Sequence, residues 1–321
     1  MIIVPEKEIA GLVDRNTSFA AVEAVFAAMS SKDAYNFPVI REAIGHADAL
    51  YGFKSGFDRK SLALGLKSGG YWPGNETRGL TNHQSTVVLF DADTGKVKAL
   101  VGGNLLTALR TAAASAVSIK HLAPTNAKVL GMIGAGHQSA FQMRAAVEQR
   151  DFTKVIGWNY HPEMLSRLAE TAADLGLPFA KASLEEIGSE ADVIISITSS
   201  QAAILHDAQV SGGTHIACMG TDTKGKQELE AALVARASVF TDEVAQAISI
   251  GECQHAVNEG ILAKDDICEL GAVINGTHIG RSSQDELTLF DGTGVGLQDL
   301  AVASEAVRLA VRNGVAIEVD F

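Results

Sequence analysis

The sequence predicts an α/β protein: a Rossmann-type, doubly wound parallel sheet domain accompanied by a smaller α+β domain. Three observations carry this. From about residue 129 onward, short apolar runs alternate with helical segments, the pattern of right-handed βαβ units. The stretch Gly131-Met-Ile-Gly134-Ala-Gly136-His137-Gln138-Ser139-Ala140 follows one such run and opens a helix. Finally, 31 glycines and abundant alanine, against only 6% aromatic residues, allow helices to pack closely on a sheet. With 321 residues the chain has room for two domains, each with its own core.

The elements follow in order. After the polar cluster Asn16-Thr17-Ser18, read as a helix cap, Val22, Val25, Phe26 and Met29 fall at i, i+3, i+4, i+7 and mark one apolar helix face. Apolar runs around 61–67 and 86–101 read as strands. Thr86 to Phe90 and Val97 to Val101, separated by Asp93-Thr94-Gly95, form a hairpin. Asn104 is placed to cap an alanine-rich helix from Leu105 to Leu122 that Pro124 stops. Beyond it come strand Val129–Ile133, a helix from about Gln138 to Gln149, strand Val155–Trp158, a helix over 162–175, strand Val193–Thr198, and strands near 214–219 and 237–241. A last helix, Leu297 to Asn313, precedes a strand-like Val315–Val319 that returns to the first domain. The expected division is therefore 1–118 with 297–321, and 119–296.

Charge narrows the function. The net charge of -12 weighs against nucleic acid and anionic membranes, whose binders rely on Lys and Arg contacts. It is unevenly spread: residues 1–120 hold 13 Lys and Arg against 11 Asp and Glu, the remainder 13 against 27. Three cysteines, Cys218, Cys253 and Cys268, lack any CxxC spacing, which fits a reducing cytoplasm. The N-terminus has charges where a signal peptide needs an apolar core, and no apolar run has the length of a membrane span. The histidines show no metal-binding spacing, so no metal is expected, and no Gly-x-Ser-x-Gly elbow suggests a serine hydrolase.

The glycine loop points to a dinucleotide. Gly134 permits a tight turn, Gly136 lets the backbone approach a pyrophosphate, and Ser139 or Ala140 is small enough for close helix packing, with the phosphate on the helix N-terminus. The acidic residue expected at the end of the next strand is replaced by Asn159, in Trp158-Asn159-Tyr160-His161. Asn159 can bond a ribose hydroxyl without repelling a 2′-phosphate. Because no Arg stands there, NAD is expected, with NADP still open.

Four further residues carry both a functional and an ordinary reading. Arg110, flanked by Thr107 and Thr111 in an alanine-rich helix, is either a solvated charge or a guanidinium aimed at an anion. Lys67, placed at a strand end before Ser68-Gly69-Gly70, is a ligand clamp or a surface charge, and Arg41 shares that ambiguity. Asp222 follows a predicted strand, at the carboxyl end of the sheet where such folds bind ligands. It either handles a proton or caps a helix beginning near Gln227.

Several segments together resemble the ornithine cyclodeaminase/μ-crystallin family along nearly the whole chain: Leu64-Gly-Leu-Lys67, Leu106-Thr-Ala-Leu-Arg110-Thr-Ala-Ala, Gly134-Ala-Gly-His-Gln138-Ser, Gly220-Thr-Asp222 with Gly225-Lys-Gln-Glu228-Leu, and Leu289-Phe-Asp291-Gly-Thr-Gly294 with Gln298-Asp299-Leu. The resemblance implies a homodimeric two-domain enzyme of nicotinamide chemistry at an amine or imine carbon. It implies that the domain from both chain ends binds substrate and forms the dimer. Arg41, Lys67 and Arg110 then look like a clamp on the substrate α-carboxylate, with Lys67 and Asp222 as catalytic residues. The expected cofactor contacts are Arg110, Thr111, Gly134, Gly136, His137, Gln138, Ser139, Asn159, Tyr160, His161, Thr198, Ser199, Met219, Gly220 and Gly292.

Within the family, Tyr35-Asn-Phe-Pro-Val-Ile-Arg41-Glu-Ala-Ile-Gly-His46, Tyr51-Gly-Phe-Lys54 and Gly69-Gly-Tyr-Trp-Pro73 are similar to the iminosuccinate reductases, which make L-aspartate. Where ornithine-type members carry an acidic residue, this chain has Lys54, a cation that would repel a diamine and suit a second carboxylate, together with Arg78 or His83. The expected substrate is a small dicarboxylate imine reduced by NADH. Cyclodeamination of ornithine or lysine, reduction of another ketimine, and a nucleotide-bound binding protein are the alternatives.

Overall fold

The computed structural model describes residues 1–321 and divides into two compact units, Met1–Arg110 with Val295–Phe321, and Thr111–Gly294. The first break lies within the helix Asn104–Leu122, at Arg110 rather than at 118. The reason lies in its side chains. Arg110 bonds Gln298 and Asp299, whereas Ser118, two turns later, pairs with His215 of the second unit.

In the first unit the strands are β1 (Ile2–Val4), β2 (Ala34–Asn36), β3 (Ile40–Ala43), β4 (Leu50–Asp58), β5 (Ala63–Tyr71), β6 (His83–Phe90) and β7 (Val97–Gly102). They form one sheet in the order β1-β7-β6-β5-β4-β2, with β3 also on β4, and the terminal strand Ile317–Glu318 closes the edge beside β1. Apart from β1 on β7, every pairing is antiparallel. Val22, Val25, Phe26 and Met29 are all buried on the helix Arg15–Ser30, as their spacing predicts. That helix is capped by Asp14, whose carboxylate accepts from Thr17 N at 2.7 Å, two residues before the cluster expected to cap it, which lies in the helix's first turn. Asn104 is likewise not a cap. Its side chain accepts from Ser85 N, while the Glu6 carboxylate receives the free N–H groups of Asn104 and Leu105 at 3.0 and 2.7 Å.

The C-terminal helix Gly296–Arg312 packs across this sheet and approaches it closely at its start. A Cβ on Gly296 would lie 2.7 Å from Ser55 N, so only glycine fits there.

The second unit contains β8 (Val129–Ile133), β9 (Lys154–Trp158), β10 (Phe179–Lys181), β11 (Val193–Ser196), β12 (Gln201–Leu205), β13 (His215–Cys218), β14 (Gln227–Leu229), β15 (Ser238–Thr241), β16 (Ile267–Glu269) and β17 (Thr288–Asp291). Eight of them make a wholly parallel sheet in the order β10-β9-β8-β11-β13-β17-β15-β16, and β12 and β14 pair separately. The chain winds outward from β8 in one direction through β9 and β10, and in the other through β11 and β13. The switch point between β8 and β11 is where doubly wound sheets bind ligands. Its central strands are buried on both faces, hence the continuous apolar runs seen in the sequence. Gln227, expected to begin a helix, instead lies in β14; the helix starts at Ala231. No helix of the chain is long and apolar enough to cross a membrane.

Candidate active site

The first unit gathers cations on one face of its sheet. Lys54 stands opposite Lys67 across β4 and β5, Arg41 opposite Gly52, and His83 opposite Tyr71. Directly paired residues share a face, and so do alternate residues along a strand. Arg41, Lys54, Lys67 and His83 therefore all occupy the side against which the C-terminal helix brings Asp299. Lys67 lies in the middle of β5, not at a strand end, and Gly69-Gly70 continue the strand.

Asp299, completely buried, ties this group together. Lys67 Nζ lies 3.1 Å from its Oδ1 and 3.0 Å from its Oδ2, and 3.4 Å from Thr107 Oγ1. Arg110 donates from Nε to Oδ1 at 3.0 Å and from Nη1 to Gln298 Oε1 at 3.0 Å. One carboxylate thus faces two buried cations, with Lys54 adding a third positive charge to the same field. A buried charge surplus of this kind attracts a small anion. Burial, followed by the repulsion of Arg110 and Lys54, pushes the Lys67 ammonium down to about 7, against the pull of Asp299. Asp299 is held below the usual carboxylate range because the two cations outweigh its desolvation. Burial, then Lys67 and Arg110, push His83 down to about 4, so at neutral pH it is an uncharged hydrogen-bonding group. Arg78 is exposed at the end of the short turn Asn75–Arg78.

The glycine loop lies at the switch point of the second unit and has the open, tightly turned backbone that a pyrophosphate cradle needs. Gly134 has φ +107°, and a Cβ there would lie 2.5 Å from the Ile197 carbonyl oxygen just beyond β11. Gly136 has open space where a side chain would be, which leaves its backbone approachable. Ser139 is buried at the start of the helix Ser139–Ala146 and donates to Gly136 O at 2.7 Å. Asn159 is tied into the loop, each end of its amide keeping one further bonding position for a ribose hydroxyl. Its Oδ1 accepts from Ala135 N and its Nδ2 donates to His161 O, both at 2.9 Å, so it staples the loop. His137, Tyr160, His161 and Ser199 are exposed around the cradle, while Gln138 and Thr198 are half-buried. Thr111, Met219, Gly220 and Gly292 are buried, with Met219 Sδ 2.5 Å from where a Gly292 Cβ would stand.

Asp222 lies in the loop after β13. Its Oδ1 receives Lys226 Nζ at 2.9 Å and the Thr223 hydroxyl at 3.2 Å, so it is a half-buried carboxylate with its own counter-ion rather than a helix cap. Sequence reasoning quoted Glu228, Gln298 and Asp299 within family-like segments without giving them a role, and missed Glu252. The available signal was polar side chains inside otherwise apolar segments, notably Gln298-Asp299 within Gly296–Ala303.

These features define a class: a two-unit α/β protein with a dinucleotide cradle and a buried cationic site for a small anion. The chain belongs to the ornithine cyclodeaminase/mu-crystallin family, whose profile matches residues 13–313. It is 68% identical to the iminosuccinate reductase of Paracoccus denitrificans (strain Pd 1222) over 321 residues, the whole of both chains. It is 30% identical to the alanine dehydrogenase of Archaeoglobus fulgidus over 323 residues, covering 100% of this chain and 98% of the other. The crystal structure of the Paracoccus denitrificans enzyme in complex with NAD+ superposes with a TM-score of 0.97, covering 100% of this chain and 99% of that one. The Thermococcus litoralis Delta(1)-pyrroline-2-carboxylate reductase, in complex with NADH and L-proline, is 26% identical with a TM-score of 0.94, covering 99% and 100%.

Proposed function

We propose that this chain reduces iminosuccinate to L-aspartate with NADH. The observation that carries the reading is the shared sheet face of Arg41, Lys54 and Lys67, with Arg110 beside it: more positive charge than one monocarboxylate needs. Full-length identity of 68% to a reductase of that name supports it.

Arg41, Lys67 and Arg110 hold the α-carboxylate, and Lys54 with neutral His83 holds the second. Fixing both ends orients the imine carbon, so much of the acceleration comes from positioning. NADH, when bound at the Gly134–Ser139 loop, supplies the hydride. To Asp222 falls the proton: its carboxylate stabilises the protonated imine that accepts the hydride at carbon, and the amine keeps that proton. NAD is favoured over NADP because no Arg follows β9 and the Asn159 amide is engaged by its own loop. The free cysteines, two of them buried, suit a reducing cytoplasm.

The chain acts as a homodimer through the other face of the first sheet. Tyr35, Ile40, Tyr51, Phe53, Leu66 and Val88 lie on that side by register, and none is buried. The archaeal alanine dehydrogenase, 29% identical, is described as a dimer.

The test follows NADH absorbance with oxaloacetate plus ammonia, pyruvate plus ammonia, a cyclic imine, and ornithine. Oxidation strongly selective for the dicarboxylate is expected; turnover of another substrate but not this one overturns the assignment. Lys54→Glu should lose the dicarboxylate selectively, and an unchanged substrate profile removes Lys54 from the site.

A further inference from the structure

Beneath the Asp222 loop lies a pair of completely buried acids, Glu228 and Glu252, that the reaction as described does not use. Glu228, in β14, reaches the ends of two neighbouring strands. Its Oε1 accepts from Ser196 Oγ at 2.7 Å, Thr198 N at 2.7 Å and Thr198 Oγ1 at 2.8 Å, and its Oε2 accepts from Gly220 N at 3.0 Å. It therefore fastens the end of β11 to the end of β13, just before Asp222. Glu252 holds the next residue. Its Oε1 accepts from Glu228 N and Leu229 N at 2.9 and 2.7 Å, and its Oε2 lies 2.5 Å from Thr221 Oγ1.

The two carboxyl groups differ in what surrounds them. Both accept from two backbone N–H groups, Glu228 from Thr198 and Gly220, and Glu252 from Leu229 and from Glu228, whose N–H also lies 3.2 Å from its Oε2. Glu228 has in addition two hydroxyls free to donate, a four-donor shell that suits a full anion. Glu252 has a single hydroxyl, on Oε2, and it can equally accept. Two adjacent buried carboxyls do not both ionise readily, and one proton between them is favoured. We infer that Glu228 is the anion and Glu252 the neutral acid, donating its proton to Thr221, and that together they are positioning residues for Asp222. Burial and the neighbouring Glu228 push Glu252 up to about 8, with Asp291 acting in the same direction; Cys218 and Cys253 are the other titratable groups of this interior.

The positioning half of the inference rests on Asp222 acting in the reaction; the protonation half does not. Infrared difference spectra of the holoenzyme test the latter without turnover. Glu252→Gln, whose amide reproduces an acceptor on one side and a donor on the other, should remove one protonated-carboxyl C=O band at every pH. Glu228→Gln takes away the neighbouring charge, so the same band should persist at acid pH and titrate away at lower pH than in the wild type. No band lost with Glu252→Gln, or a band absent from Glu228→Gln even at acid pH, overturns the assignment.

Kinetics test positioning. Glu252→Gln should keep kcat within about 3-fold, while Glu252→Ala and Thr221→Val lower kcat by about 100-fold with KM little changed, as misplacement of a reacting group does. Thr221→Ser should restore the rate. If Glu252→Ala does not fold, the Thr221 pair decides. In an Asp222→Asn background Thr221→Val should add little further loss; full additivity overturns the positioning role. An Asp222→Asn enzyme with full activity would instead overturn the reading of Asp222, leaving the infrared result to stand alone.

Discussion

Lys67 and Asp299 are 232 residues apart in the chain and 3.0 Å apart in the fold, and neither can be understood alone. The lysine sits among other cations and loses its proton near pH 7, far below its ordinary 10.5. Two consequences of opposite sign follow across the same pH range. The carboxylate clamp is fully charged below pH 7, so kcat/KM for the dicarboxylate should fall as pH rises above it. Stability should move the other way. Between pH 7 and 10.5 the unfolded chain binds a proton at Lys67 that the folded chain has shed, so this residue's contribution improves with rising pH. Thermal melts should show the wild type gaining on Lys67→Met between pH 7 and 10; a constant gap over that range would contradict the buried, displaced titration. Asp299→Asn removes the charge that helps Lys67 keep its proton, so the alkaline fall in kcat/KM should move below pH 7. An unmoved limb would show that Asp299 does not govern Lys67.

Whether an element is readable from its sequence depends on how local its cause is. Val129–Ile133 and the buried stripe of Arg15–Ser30 were legible because strand and helix burial patterns are written in consecutive residues. The glycine loop was legible because turn, approach and packing fall within six positions. Gln227–Leu229 was not, because a three-residue strand is decided by its partner, Gln201–Leu205, which local pattern does not contain. The cap by Glu6 likewise comes from a residue 98 positions away. The candidate site divides in the same way: Arg41, Lys67, Arg110 and Asp222 could be named from types and motifs, while the roles of Asp299, Glu228 and Glu252 arise only from long-range pairing. The C-terminal helix shows how an element's seat affects the site. Gly296→Val would place side-chain carbons against the Lys54–Ser55 backbone and lift the helix that presents Asp299. Overpacking should cost about 1–3 kcal/mol. The expected result is a lower melting temperature together with a reduced kcat/KM; a variant that melts lower while retaining full kcat/KM would show that the site tolerates the displaced helix.

At the scale of the molecule, the acidic total hides a division of labour. Residues 1–120 hold the proposed clamp cations, and the strongly acidic remainder holds the nucleotide loop and Asp222. The first unit's sheet is itself two-sided: one face carries Arg41, Lys54, Lys67 and His83, and the other carries the uncovered apolar row that includes Phe53, Leu66 and Val88. Residues alternate between the faces, so each strand that positions a cation also presents an apolar neighbour on the far side. Sheet faces of this kind are normally covered, and in the homodimer proposed above a second copy of the chain is the matching surface, related by two-fold symmetry. Leu66→Glu places a carboxylate on the apolar face immediately beside Lys67 in sequence, yet on the opposite side of the sheet. Sedimentation velocity should report a dimer for the wild type and a shift toward monomer for Leu66→Glu. Because the substitution points away from the cations, NADH binding to the second unit should be retained, whereas turnover should fall if β5 depends on the partner for its rigidity. A Leu66→Glu protein that remains fully dimeric would remove this face from the interface.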